Sequence, residues 1–114
     1  NHTPFTLDKE DQDPNFVTTN SGSKIVDNYF ITNHYLDQSV KEFFDYLKKS
    51  GLYDNTAVVL YGDHYGISNT DAKYLAPILG KDESQWSDLD NANLQRVPFM
   101  IHVPGMTDGY IDHT

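Results

Sequence analysis

The stretch AVVLYGDHYGIS at residues 57–68 constrains this chain more than any other. Residues 56–61, TAVVLY, read as a short strand whose consecutive apolar side chains show no polar alternation. That pattern predicts burial on both faces, as in a parallel sheet covered by helices. The apolar run stops at Gly62, and Asp63 and His64 follow side by side. The segment before the strand supplies a covering helix. Across residues 25–50, Ile25, Tyr29, Leu36, Val40, Phe43, Phe44 and Leu47 recur mostly three or four apart, with charged residues on the other faces. Lys48 and Lys49 complement the helix dipole in its last turn, and Ser50-Gly51 is a stop in which Gly takes the left-handed position. A helix feeding a buried strand is the crossover of a β-α-β unit. Its first strand is expected just upstream, ending where Asn1 begins. Asn1 is not a natural start, so the chain reads as a processed or excised piece.

The remaining segments are less regular. Pro4, Pro14 and Gly22 make residues 1–24 a loop, with one helical turn expected near Leu7–Gln12. Short helices are expected over Asp71–Leu79 and Glu83–Leu89, the latter with Trp86 and Leu89 turned inward. Residues 97–103, VPFMIHV, form a second strand that Pro104-Gly105 ends. The tail after it has no pattern, and there are no internal repeats.

A chain of 114 residues suffices for one modest domain, and 38% hydrophobic and 13% aromatic residues make it globular. Its formal charge of −9 argues against nucleic acid as a partner, because phosphate backbones need a basic surface. The absence of cysteine excludes a disulfide scaffold and a thiolate metal site. No apolar run approaches the roughly 20 residues that cross a bilayer.

In parallel α/β sheets, ligands bind beyond the carboxyl ends of the strands, where Asp63 and His64 fall. A carboxylate oxygen and an imidazole nitrogen are good ligands for Zn²⁺ or Mn²⁺. A turn at Gly62 would bring both onto one ion, and Gly66 would let the backbone bend sharply beside them. An Asp after a strand also commonly caps the next helix, and spacing alone leaves both readings open. His2, in NHTPF, lies where the upstream strand would end and so shares this edge of the sheet. It could hydrogen-bond a phosphate or sulfate oxygen, or be an ordinary loop histidine. His34 reads as packed or solvated, His102 as a strand-face residue and His113 as part of the tail. Arg96 could attract an anion, but a lone arginine before a strand reads as a surface residue, and the Tyr and Phe stripe of the helix as core.

Taken in order, NHTPF (1–5), YFITNHYLDQSVKEFFDYLKKSGLYDNT (29–56), VVLYGDHYGIS (58–68) and VPFMIHVPG (97–105) resemble the alkaline phosphatase/sulfatase superfamily. More narrowly, they resemble the extracellular domain of the lipoteichoic acid synthases, phosphoglycerol transferases of Gram-positive bacteria. GDHYGIS is the most specific element. The resemblance implies an α/β fold: part of an alkaline phosphatase/sulfatase-like α/β/α sandwich with mainly parallel strands, truncated at both ends. Residues 1–114 would be the C-terminal part of that catalytic domain. It implies transfer of glycerol phosphate from phosphatidylglycerol to a growing lipoteichoic acid chain on a glycolipid anchor. A threonine nucleophile and one Mn²⁺, with Mg²⁺ or Zn²⁺ possible, carry the chemistry in the family. Carried over by motif, Asp63 and His64 are metal ligands and His2 is a substrate-binding residue.

The nucleophilic Thr, a metal-binding Glu and the family's substrate-binding Arg and Trp belong to segments upstream of residue 1. Thr3, Thr6, Thr18 and Thr19 do not lie in the nucleophile's context, and Arg96 and Trp86 do not inherit those roles. The chain by itself is therefore expected to be inert, to bind metal weakly, and to self-associate or be partly disordered through uncovered sheet surface. The implied location is the outer face of the cell membrane, anchored by an N-terminal domain not included here, or release as a secreted domain. Two alternatives remain. One is another enzyme of the superfamily (sulfatase, phosphoethanolamine transferase or phosphodiesterase); the other is a non-catalytic domain of the same fold.

Overall fold

A computed structural model describes residues 2–110. The elements are helix α1 (Lys24–Lys49), strand β1 (Val58–Tyr61), short helices α2 (Asn69–Ala72) and α3 (Asp88–Asn93), and strand β2 (Phe99–His102). Single 3-10 turns at Tyr53–Asn55, Lys73–Leu75, Pro77–Leu79 and Glu83–Gln85 connect them. His113 lies outside the described residues.

α1 forms where its periodicity predicts. Ser23 caps its N-terminus, the hydroxyl oxygen accepting from Val26 N at 3.4 Å. Gly51, at φ 73°, follows the Ser50 C-cap in the left-handed conformation. The loop before α1 is irregular, as expected, but the segment near Leu7–Gln12 is not a helical turn. Gln12 Nε2 instead donates to Leu7 O at 2.7 Å, and a turn joins Asp11 N to Asp8 O.

Two fastenings hold the part of this loop after residue 12 on α1. Asp27, in the first helical turn, accepts from Thr19 Oγ1 at 2.8 Å and Ser21 N at 3.0 Å, while its carbonyl accepts from Thr18 Oγ1. Burial pushes the Asp27 carboxyl up, but these hydrogen bonds outweigh it and hold the group below its usual range. Farther along, His34 stacks on Phe16, ring centroids 4.1 Å apart, and its Nε2 lies 2.9 Å from Asp13 Oδ2. The hydrogen bond from His34, helped by Asn15 N, lowers the Asp13 carboxyl.

The core gathers at the N-terminal half of α1. Val26, Ile67 and Leu75 are buried together, and Tyr29, Phe30, Tyr74, Trp86 and Leu94 pack around them. Sealing a side chain such as Ile67 contributes roughly 1.5–3 kcal/mol. Trp86 faces inward as predicted, with Nε1 donating to Asn91 Oδ1 at 2.8 Å. Leu89 does not: it is 69% exposed. Ser87 and Asp90 form a reciprocal capping box that starts α3 at Asp88, and that start turns Leu89 outward and gives Leu94 the inward place.

The sheet corrects the sequence expectation in detail. β1 and β2 pair antiparallel, with Val58 opposite His102 and Tyr61 opposite Phe99. Strand direction is set by where the connection returns. β1 leaves the sheet at Gly62, residues 63–97 come back to the same end, and Gly62 N donates to Pro98 O at 3.1 Å. β1 is also not buried on both faces: Val58 is covered, but Val59 and Tyr61 are exposed, as are their partners Ile101 and Phe99. The covered face meets the C-terminal half of α1, where Phe44 lies edge-on to His102 and to Tyr53. His102 has the strand-face role expected of it, stacking on Tyr53 at 4.0 Å.

Two outcomes test these local assignments. Gly51→Ala is expected to cost about 1 kcal/mol, read as a lower denaturation midpoint, because a Cβ disfavours the left-handed conformation. Lys81, then the Ser87 hydroxyl and N–H, hold the Asp90 carboxyl at about 2, against an ordinary 3.8. Because the folded value is depressed, its contribution to stability is complete above the ordinary value and is lost as pH falls through about 2. A carboxyl ¹³C NMR titration should place the Asp90 inflection there, and Lys81→Met should raise it.

Candidate metal and substrate site

The site is built at the end of β1. Gly62 closes the ladder, and a Cβ placed on it would stand 2.8 Å from Val97 Cβ. Glycine is therefore required by the close approach of the segment that leads into β2. Beyond it the chain turns from the sheet and presents Asp63 and His64 to solvent, their side chains 84% and 40% exposed. Asp63 is not a helix cap, because the N-cap of α2 is Ser68.

The tautomer of His64 follows from its partner. Nδ1 lies 2.8 Å from Tyr65 O. A carbonyl only accepts, so Nδ1 carries the proton and Nε2 of the neutral ring keeps its lone pair. Nε2 faces Asp63 Oδ1 at 3.6 Å. That gap is too long for a hydrogen bond. Oxygen and nitrogen ligands each about 2.1 Å from one ion sit about 3.0–3.4 Å apart, so a small closure would let both hold a cation. The backbone carbonyl on the far nitrogen is the kind of outer contact that orients ligating histidines. The donor chemistry fits a divalent ion, but as a partial set. Among the described residues, no group of three or more His, Cys, Asp and Glu side chains could hold a metal.

His2 reaches the same place from the other end of the chain. Phe5 N donates to His2 O at 2.8 Å, closing a tight turn. Phe5, buried and at φ 56°, anchors that turn. The His2 and His64 ring centroids are 5.0 Å apart, with the planes tilted by 36°. The structure thus brings together His2, Asp63 and His64, the residues singled out in the sequence.

Two features were not legible there. Arg96 is exposed, as expected of a surface residue, but it also lines a cleft of about 280 Å³ together with His64, Tyr29 and Leu75. The antiparallel register, which sets residues 96–98 beside residues 62–64, would have revealed it. Gly66 is needed for space, not for a bend: a Cβ there would stand 2.3 Å from the Tyr29 ring. No local signal marks that contact.

The Sulfatase family profile matches residues 1–113. The chain belongs to the sulfatase family. It is 54% identical to lipoteichoic acid synthase 2 of Bacillus subtilis over 106 residues, which cover 93% of this chain and 16% of that protein. It is 40% identical to lipoteichoic acid synthase of Staphylococcus aureus over 109 residues, 96% of this chain and 16% of that protein. It superposes on the crystal structure of the lipoteichoic acid synthase LtaP from Listeria monocytogenes with a TM-score of 0.67 at 34% identity, covering 94% of this chain and 26% of that one. The α/β fold class is therefore that of the LtaP structure, and the chain spans a small part of the length of these relatives.

Gly62→Ala is expected to displace Val97 and cost roughly 1–3 kcal/mol, the usual penalty of overpacking. Long-range ¹H–¹⁵N spectra of the neutral ring should show His64 protonated at Nδ1. An Nε2-protonated ring would contradict the arrangement described.

Proposed function

We propose that these residues are part of a metal-dependent phosphoglycerol transferase, which moves glycerol phosphate from phosphatidylglycerol to a growing, glycolipid-anchored polyglycerol phosphate chain. The observation that carries this reading is the convergence of Asp63, His64 and His2 beyond the end of β1. The similarity to lipoteichoic acid synthases supports it.

Electrostatics supports a role for a cation. The chain carries −9, and Asp63 adds negative charge where an anionic phosphodiester would sit. A divalent ion reverses that local sign. Asp63 and His64 would hold it: the carboxylate supplies charge, and the Nε2 lone pair, kept free by the Nδ1 bond to Tyr65 O, supplies a neutral donor. When bound, Mn²⁺, or Mg²⁺ or Zn²⁺ in its place, would neutralise phosphate charge and lower the pKa of the attacking hydroxyl. His2, on its turn above His64, would hydrogen-bond the glycerol phosphate. Thr18 and Thr19 are poor candidates for the nucleophile, since both hydroxyls are committed to Asp27. In this reading the nucleophile and remaining ligands lie in other segments of the longer enzyme, the 114 residues alone are inert, and the enzyme works at the outer face of the membrane. Among the described residues, no helix is long and apolar enough to cross a membrane.

A Mn²⁺ titration followed by NMR tests the half-site, since paramagnetic broadening detects weak binding. Broadening should centre on Asp63 and His64, reach His2, and vanish in Asp63→Ala. A folded chain without local broadening would sink the metal reading. In the longer enzyme, Asp63→Ala should abolish release of diacylglycerol from phosphatidylglycerol. Turnover by the isolated 114 residues that is lost in Asp63→Ala would refute their inertness.

A further inference from the structure

We infer that Tyr29, on the second turn of α1, is a positioning residue that sets the spacing between His2 and the Asp63–His64 pair. The inference rests on the site reading above but concerns this chain's own packing. His2 and His64 are 62 positions apart in sequence (64 − 2), sit on separate loops, and are both exposed. Nothing in either loop alone dictates that their rings should lie 5.0 Å apart.

The link between the loops runs through Tyr29. On one side its ring meets Phe5 edge-to-face, centroids 5.1 Å apart. Phe5 is 3% exposed and closes the turn whose first residue is His2. The neighbouring Asn28 adds a bond to the same turn, Nδ2 to Pro4 O at 3.1 Å. At its hydroxyl end the ring comes up against the backbone at Gly66, two residues after His64. A Cβ there would stand 2.3 Å from Cε2, 2.7 Å from Cζ and 2.7 Å from the hydroxyl oxygen. The ring occupies the space a side chain at 66 would need. It therefore acts as a spacer, with the His2 turn resting on one side and the His64 loop on the other. A ring carbon, Cε2, makes the closest approach, so the ring still fills this space when the hydroxyl is removed.

The test uses the metal-free chain and the nuclear Overhauser effect between the His2 and His64 imidazole protons. Wild type should show it. Tyr29→Phe should keep it. Tyr29→Ala should weaken it several-fold or abolish it, while the amide shifts of β1 and β2 stay in place. Gly66→Ala, which drives the ring away from the other side, should do the same. Leu47→Ala removes a buried side chain from the far end of α1 and serves as the control; it should lower stability and leave the effect intact. Should Tyr29→Ala fail to fold, Tyr29→Leu, which keeps apolar volume but not a flat ring, carries the test. An effect that survives in Tyr29→Ala or Tyr29→Leu, that is missing from wild type, or that is lost equally in Leu47→Ala would overturn the inference. Because no metal is added, failure of Mn²⁺ to bind wild type would count against the proposed function and leave this result readable.

Discussion

The packing of one aromatic ring against one glycine backbone governs the end of this structure that carries the candidate site. Tyr29 stands on a long helix, and Gly66 stands in the loop that carries Asp63 and His64. A loop displayed only by its own turns would wander, whereas a loop pressed on a helix inherits the helix's rigidity. That is why the orientation of α1 matters so much here. Ser23 caps it, Asp27 gathers residues 18–21 onto its first turn, and His34 draws Asp13 and Phe16 onto its middle. The His2 turn itself is held to α1 by Phe5 against Tyr29 and by Asn28 Nδ2 donating to Pro4 O.

The core sits where it serves that arrangement. Ile67, buried just beyond the site loop, joins Val26 on α1 and Leu75 after α2. The 3-10 turns and short helices over 69–93 pack around this nucleus, and their return to Val97 and Pro98 places β2 beside the end of β1. One connection thus decides three things: the antiparallel register, the need for glycine at 62, and the position of Arg96 on the cleft it shares with His64. The other side of the sheet is different. Val59, Tyr61, Phe99 and Ile101 lie together on one exposed face as an apolar stripe.

Much of this architecture was legible in the residues themselves. The helix over 24–49 followed from its periodicity and its Ser-Gly stop, and both strands followed from their apolar runs and terminators. The family followed from the order of NHTPF, GDHYGIS and VPFMIHVPG. The misreadings share a cause. The run TAVVLY predicts a doubly buried strand of a parallel sheet and forms a half-exposed antiparallel one, because apolar composition reports only the capacity for burial. Leu89 was expected inward because apolar spacing does not reveal which residue will cap the next helix. The helical spacing of Tyr29 predicts a core position, and it does pack on the core, but no pattern says that its other neighbours are Phe5 and Gly66.

By itself, then, the sequence determined local conformation and chemical potential: where α1 starts and stops, where β1 ends, and that an acid and a histidine with ligand-grade atoms follow it. Those are properties of near neighbours, set by backbone propensity, capping and side-chain chemistry. Only the tertiary structure decided that His2 lies beside His64 and that a glycine 37 positions beyond Tyr29 (66 − 29) leaves room for its ring. Those depend on long-range packing, in which residues far apart in the chain must fit the same few ångströms, and no short window of sequence encodes that fit.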